Sequence, residues 1–355
     1  MTTESSLVEL RDTLRAAGAR PRHETLMLRA WVRGLPLDAF AQSEDAQLPL
    51  ALRRALPDLA ERFATLVTVL SEHRGADASL RLLLRLSDDK TIESVLLPGD
   101  GVCVSTQVGC AVGCTFCMTG RDGLMRQLTS GEIVAQVALA RARQRVRRVV
   151  FMGMGEPAHN LDNVLDAIEL LGAEGDLAQK NLVFSTVGDR RVFERLPRGP
   201  IKPALALSLH TTKPELRARL LPRAPRIEPA ELIALADAYS RATKYPTQYQ
   251  WTLLEGVNDG DDELDALATL LAGHYAVVNF IPYNTVDGAD FRRPSWTRAA
   301  EMTRYLHRRG VLAKLRRSAG QDVEAGCGQL RARHAGLAAG AQNATPSSAM
   351  RLRRV

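Results

Sequence analysis

Apolar and polar positions change their rhythm along this chain. Over the first 75 residues, apolar side chains recur at three and four spacing in "SSLVELRDTLRAAG", "RHETLMLRAWVRG" and "LPLALRRALPDLAERFATLVTVLSEH". That period predicts amphipathic helices. Residues 79–100 then carry two apolar runs around "SDDK", the pattern of a β-hairpin. From there to about residue 315, strand-like segments such as "RRVVF", "NLVFST", "ALALS" and "AVVNFIP" alternate with helix-like ones. Thr129 and Glu132 open one of these helices at capping-box spacing. Repeated βα units predict a parallel sheet with helices outside, and about six of them an incomplete (β/α)6 barrel, an α/β fold. The expected organisation is a helical accessory domain over 1–78, a β-hairpin extension over 79–100, a barrel over 101–335 and a tail over 336–355. The tail is small, polar and unpatterned, and is expected to be disordered.

Charge and composition narrow the picture a little. The net charge is +7 with a pI near 9.4, and the segment after Leu330 supplies five arginines and no acid. A basic balance favours a polyanionic partner, and the segment "RARQRVRR" at 141–148 carries five arginines. On a helix face such a run is more often simply solvated. The chain has no apolar run long enough to span a bilayer and no apolar secretory leader. The expectation is a cytoplasmic protein without a membrane partner, with reduced thiols.

Several strands end in unusual turns: "GMGEP", "STVG", "SLH" and "IPYN". Ligands of α/β barrels bind at the C-terminal ends of the strands, so these turns predict one shared pocket. The stretch "VGCAVGCTFCMTG" places Cys110, Cys114 and Cys117 at C-x3-C-x2-C just after the first barrel strand. A structural zinc site wants four ligands, usually as two pairs, and no histidine is near. Iron–sulfur clusters are held by thiolates, and three of them would leave one iron open for a small molecule. Zinc and unliganded thiols remain the alternatives. Of the two other cysteines, Cys103 lies in "GVCVSTQVGC" and Cys327 in "DVEAGCGQL", where glycines flank it. A free cysteine is ordinarily a small buried apolar residue; the glycines suggest exposed, pliable backbone instead.

The cysteine loop resembles the signature of the radical S-adenosylmethionine (SAM) superfamily, which implies a radical-SAM barrel, a [4Fe-4S] cluster and SAM. The ordered elements "CVSTQVGCAVGCTFCMTG", "FMGMGEPAHN", "FSTVG", "LSLH", "GVND", "VNFIPYN" and "DVEAGCGQL" narrow this. The chain resembles the RlmN/Cfr family, which methylates an adenine ring in 23S ribosomal RNA. The resemblance implies that Cys110, Cys114 and Cys117 hold the cluster. It implies SAM contacts from Gly155, Glu156, Ser185, Ser208, Leu209, His210 and Asn284. It further implies that Cys327 carries a methyl group, that Cys103 resolves the RNA adduct through a disulfide with Cys327, and that Glu93 accepts the ring proton. Two SAM molecules per turnover, a reductant such as flavodoxin and a monomer follow from the same resemblance. Methylation at C2 of 23S rRNA is expected, with tRNA a second substrate. A C8 enzyme of the antibiotic-resistance type, and a cluster-bearing RNA-binding protein without methyl transfer, are the alternatives. "DVEAGCGQL" departs from the family's commoner context at Val323, Glu324 and Gly326, which points to a divergent subgroup.

Overall fold

A computed structural model of the protein describes residues 6–37 and 47–332. Three helices come first: α1 (Leu7–Ala16), α2 (Pro21–Val32) and α3 (Leu50–Thr65). Ser6 and Glu9 close a capping box at the start of α1. The chain then turns to strands β1 (Val67–Arg74), β2 (Leu80–Leu86) and β3 (Thr91–Leu97). The last of the expected helices ends earlier than its apolar spacing suggests. "VTVLSEHR" is not its final turns but β1, paired antiparallel with β2. Val67, Thr68 and Val69 are β-branched, which favours the pleated backbone once a partner strand is present.

The antiparallel β1–β2–β3 ribbon joins the main sheet through β4 (Gly101–Cys103), which pairs antiparallel with β3. The loop after it holds two short strands, β5 (Gln107–Gly109) and β6 (Leu124–Gln127), paired only with each other. Helix and strand then alternate: α4 (Ser130–Arg141), β7 (Arg148–Phe151), α5 (Leu161–Ala173), β8 (Leu182–Thr186), α6 (Arg190–Arg195) and β9 (Ala204–Ser208). There follow α7 (Pro214–Leu220), α8 (Pro229–Thr243), β10 (Thr247–Leu253), α9 (Asp261–Leu270), β11 (Ala276–Pro282), α10 (Trp296–Arg308) and β12 (Ala313–Leu315). The sheet order is β1-β2-β3-β4-β7-β8-β9-β10-β11-β12, and every pair from β4 onward is parallel. The ends do not pair, so the expected incomplete (β/α)6 barrel is the fold.

Thr129 and Glu132 cap α4 as their spacing predicts. This helix is buried nearly all round, because one side meets the barrel and the other meets α1 and α2. Among the described residues no helix is long and apolar enough to cross a membrane. The tail at 336–355 lies outside the described residues.

Candidate active site at the mouth of the barrel

Parallel strands deliver all their C-terminal ends to one face. The chain leaves β4 at Cys103, β7 toward Glu156, β8 just past Ser185, β9 at Ser208 and β11 toward Asn284. The cysteine loop springs from the same face. Cys110 N–H donates to the Gly123 carbonyl at 2.9 Å, Thr115 N–H to Leu220 at 3.0 Å, and Met118 N–H to Gly328 at 2.7 Å. The loop is therefore held between the β5–β6 ribbon, the end of α7 and the segment that carries Cys327.

The three loop thiols share one electrostatic neighbourhood. Burial pushes Cys110 up to about 12, assisted by the charges of Glu156 and Cys117. Burial also raises Cys114, with Cys117, Cys110 and Glu156 adding to it, and it raises Cys117 against hydrogen bonds from Thr119. Thiols so placed gain most from a metal, which converts them to thiolates and supplies the missing positive charge. Among the described residues no three His, Cys, Asp or Glu side chains converge as a single metal ion requires. Three thiolates, one per iron, are a donor set that a polynuclear cluster takes.

Arg217 was not singled out from the sequence. It sits on the apolar face of α7, beside Leu216 and Leu220, and is 4% exposed. Its guanidinium donates to the carbonyls of Val187 and Ser208, its Nε has no partner, and Cys114 and Glu156 are the anions it feels. Burial lowers it to about 10. The one sequence signal was an arginine at a helix position whose neighbours three and four residues on are leucines.

Glu156 is buried; its carboxylate accepts from Ala158 N–H at 3.1 Å and from Val187 N–H at 3.0 Å. Burial pushes it up to about 7, against hydrogen bonds from Thr186, Val187 and Ala158. Gly155 before it turns at φ +104° and passes so close to Gln107 that a Cβ would lie 2.6 Å from that side chain. Gln107 in turn accepts from Glu156 N–H at 2.7 Å. Ser185 and Ser208 are half-buried, and their hydroxyls have no partner among the described residues. Leu209 is fully buried.

His210 stands in the left-handed region at φ +65°. Its Nδ1 accepts from Thr252 N–H at 3.0 Å, which leaves Nε2 as the donor. Burial, then the charge of Arg217, lowers it to about 3, so the ring is neutral. The ring meets Phe116 of the cysteine loop edge-on, with centroids 4.9 Å apart. The "GVND" motif explains itself here. Asn258 donates to the carbonyls of His210 and Thr252 and accepts from Leu254 N–H, which locks the His210 turn.

Cys327 rides on a loop docked over this mouth. The flanking glycines serve close approach rather than pliability. A Cβ on Gly326 would lie 2.6 Å from the Asn284 side chain, and one on Gly328 would lie 3.0 Å from the Phe116 carbonyl. Asn284 is committed to the same segment: it donates to the Cys327 carbonyl at 3.0 Å and to Ser318 at 2.9 Å, and accepts from Gln321 at 2.9 Å. One lone pair of its oxygen is left for any ligand. Cys327 is open to solvent, yet burial raises its thiol, followed by the charge of Cys117, while Arg316 opposes. Its thiol is thus open to solvent while protein packs closely around the rest of the residue. Solvent access is the better guide to whether it can react.

Cys103 is buried at the end of β4. Burial raises its thiol strongly, and the next contribution is the charge of Cys327. All five cysteines are free, so the disulfide between Cys103 and Cys327 is not formed in this structure. Glu93 on β3 is 1% exposed. It pairs with Arg81 and accepts from the backbone N–H of Arg331 at 2.8 Å and of Ala332 at 3.0 Å. It borders a cavity of about 30 Å³ shared with Met118, Glu324 and Gln329.

A barrel with a three-cysteine loop at its mouth defines a class, and comparison with known proteins agrees. Residues 104–268 match the family model of the Radical SAM superfamily. The chain is 68% identical over 328 residues to a protein of Methylibium petroleiphilum named "Probable RNA methyltransferase", covering 92% of this chain and 93% of that one. It is 68% identical over 327 residues to one of the same name from Thiobacillus denitrificans, covering 92% and 90%. A crystal structure of a radical SAM methyltransferase from Sphaerobacter thermophilus superposes with a TM-score of 0.80 at 38% identity, covering 94% of this chain and all of that one. The chain belongs to the radical SAM superfamily and, within it, to the family of these relatives. The superfamily implies a [4Fe-4S] cluster and SAM. The residues present fit both: a loop of three thiols raised chiefly by burial, and near Cys114 a buried guanidinium with an orphan N–H.

Proposed function

We propose that this protein is a radical SAM RNA methyltransferase that methylates an adenine ring carbon, C2, of 23S rRNA, with tRNA as a second substrate. The observation that carries this reading is the pair of non-loop thiols at the mouth. Cys327 is exposed on the segment docked against the cysteine loop, and Cys103, at the end of β4, lies within reach of its charge. The names of the relatives support the methyl-transfer and RNA parts of the reading.

Cys110, Cys114 and Cys117 would hold the cluster. Gly155, Glu156, Ser185, Ser208, Leu209, His210 and Asn284 would hold SAM. A carboxylate suits the ligand's ammonium, and the free hydroxyls of Ser185 and Ser208 suit ribose or adenine edges. When bound, these groups supply a methyl group and, from a second SAM, a 5′-deoxyadenosyl radical. Cys327 carries the methyl on sulfur. This detour is needed because the adenine carbon is electrophilic and cannot attack a sulfonium. Once that methyl had given a hydrogen atom to the radical and its carbon had bonded to the ring, the adduct through the Cys327 sulfur would lose one electron, which the cluster can accept, and its ring proton, which Glu93 would take. The Cys103 thiolate would then attack that sulfur; the carbon–sulfur bond breaks with its electron pair on the carbon, which takes up a proton to become the methyl group. The transient Cys103–Cys327 disulfide needs two electrons from a reductant such as flavodoxin to reopen. The protein works as a cytoplasmic monomer.

Glu93 has about one acceptor position left after its three partners, and the cavity it borders is too small for a base. The segment carrying Gln329 and Arg331 therefore has to shift to admit the adenine. Mass spectrometry of rRNA nucleosides from cells with and without the protein tests the reading. Gain of 2-methyladenosine supports it, 8-methyladenosine alone moves the reaction to C8, and no change in methylated adenosine overturns it.

A further inference from the structure

The arginine run at 141–148 does not behave as one solvated face. Arg143 pairs with Glu72 at 3.0 Å, and Arg148 starts β7. Arg141, Arg145 and Arg147 instead turn to an open cleft of about 740 Å³ where the chain enters β7 and β8, and Arg33 from the end of α2 joins them. This is the end of the barrel opposite the cysteine loop. In barrels that end ordinarily serves stability alone.

The cleft concentrates one sign of charge. Arg33, Arg141, Arg145 and Arg147 line it against the single carboxylate of Asp176. None of the four makes an ion pair among the described residues, although many other arginines do. Arg141 is held by carbonyls alone, Val32 at 2.8 Å and Val146 at 3.3 Å. Arg33 likewise donates to the Glu174 carbonyl at 3.1 Å. Burial, then repulsion from Arg33, act against the charge on Arg141, and the Asp176 carboxylate only partly offsets them. The approach that sets these like charges together is built in: Gly34 packs so tightly on Arg141 that a Cβ there would lie 2.9 Å from the Arg141 Cβ. Each guanidinium has five donors, and most are uncommitted. Crowded, unpaired guanidiniums with spare N–H groups around a concave polar space are the chemistry that holds phosphate.

We propose that this cleft is a phosphate-binding site that grips the backbone of the substrate RNA, remote from the base being modified. The proposal rests on RNA being the substrate, as argued above. A contact to the backbone carries no sequence information; it fixes the RNA's register on the protein. It explains why the cleft lies at the seam of accessory helix and barrel, where a large folded RNA can lean on both.

The test uses the full chain with its cluster reconstituted. The double variant R145E/R147E changes two exposed, unpaired side chains. Binding of a labelled, unmodified 23S rRNA transcript is measured against salt concentration. The expected result is affinity lower by at least about tenfold and a log K against log salt slope shallower by about 1 to 2, since each lost phosphate contact removes about 0.7 to 0.9. Iron content and SAM binding stay at wild-type values, because both lie at the other end, and R145K/R147K keeps the wild-type slope. In the wild-type protein, the RNA should also shield Arg145 and Arg147 from phenylglyoxal. Unchanged affinity and slope overturn the proposal. So does protection by inorganic tripolyphosphate that the variant loses while RNA binding stays the same, because the cleft would then serve a free phosphate compound. No outcome depends on methylation, so failure of the proposed activity leaves this result readable.

Discussion

A buried guanidinium without an ion-paired partner among the described residues is costly to keep, and Arg217 is kept where only the more distant charges of Cys114 and Glu156 favour it. A residue that only packed would be better as methionine. We expect Arg217→Met to weaken SAM binding at least about tenfold in equilibrium dialysis, while its lost carbonyl contacts cost only about 1–2 kcal/mol of stability; Arg217→Lys should recover part of the affinity. Unchanged SAM affinity with a large fall in melting temperature would reduce Arg217 to a structural residue. Cys103 offers a second test. Without it, the adduct through Cys327 has no thiolate to resolve it, so Cys103→Ala should accumulate a protein–RNA species that survives denaturation and is absent from the Cys103, Cys327 double variant. Normal turnover by Cys103→Ala would remove the two-thiol route. What was legible at this scale was residue type at fixed spacing: the cysteine loop, the turns at the strand ends and the glycines around Cys327. Arg217 was not legible, because its role comes from where α7 packs rather than from any local pattern. The purpose of the glycines was also misread, since tight packing against Asn284 and Phe116 shows only in three dimensions.

Between elements, one half-buried cation ties three of them together at the edge of the cysteine loop. Arg126 on β6 bonds Asp88 in the β2–β3 turn at 2.8 and 2.9 Å, and Glu132 in the first turn of α4 at 2.8 and 2.9 Å. Glu132 is 1% exposed, so removing Arg126 strands a buried carboxylate. Arg126→Met should cost about 3–5 kcal/mol in denaturant unfolding; a loss below about 1 kcal/mol would mean the network is solvated. Hydrogen bonds from Arg126, the largest influence, hold Asp88 well below its usual value of 3.8. The unfolded chain then binds the proton more readily, so the stability this carboxylate contributes is complete above about pH 4–5 and is lost as pH falls further. In the Arg126→Met protein that acid-side loss should shrink. β6 was invisible in the sequence: four residues, "LMRQ", half exposed and paired only with β5, offer no period to read. β1 was misassigned for a related reason. "LVTVL" follows a true helix without a breaker, and its strand character depends on β2 lying alongside.

On the scale of the whole molecule, the boundary drawn at residue 78 separates patterns but not cores. Leu10, Leu14, Met27, Leu28 and Val32 of the first helices belong to one contiguous apolar cluster with Val134, Val137 and the barrel strands. The Leu7 N–H also donates to Ser130 at the start of α4, across 123 residues of sequence. The sequence of α4 announces this, since "SGEIVAQVAL" has no polar face to give to water. An accessory domain attached by a linker would be removable; a layer of the core is not. Each large apolar side chain exposed by its loss costs about 1.5–3 kcal/mol, and a domain's whole stability is about 5–15 kcal/mol. Deleting residues 1–66 should therefore give a chain that elutes as aggregate in size-exclusion chromatography and shows no cooperative melt, and the intact protein should unfold in a single calorimetric transition. A monomeric deletion protein that still takes up its iron and melts within a few degrees of the full chain would show the barrel to be self-sufficient. The first helices would then be free to serve RNA alone. The core they share with the barrel strands predicts instead that they do both, holding Arg33 at the cleft because they cannot leave the barrel.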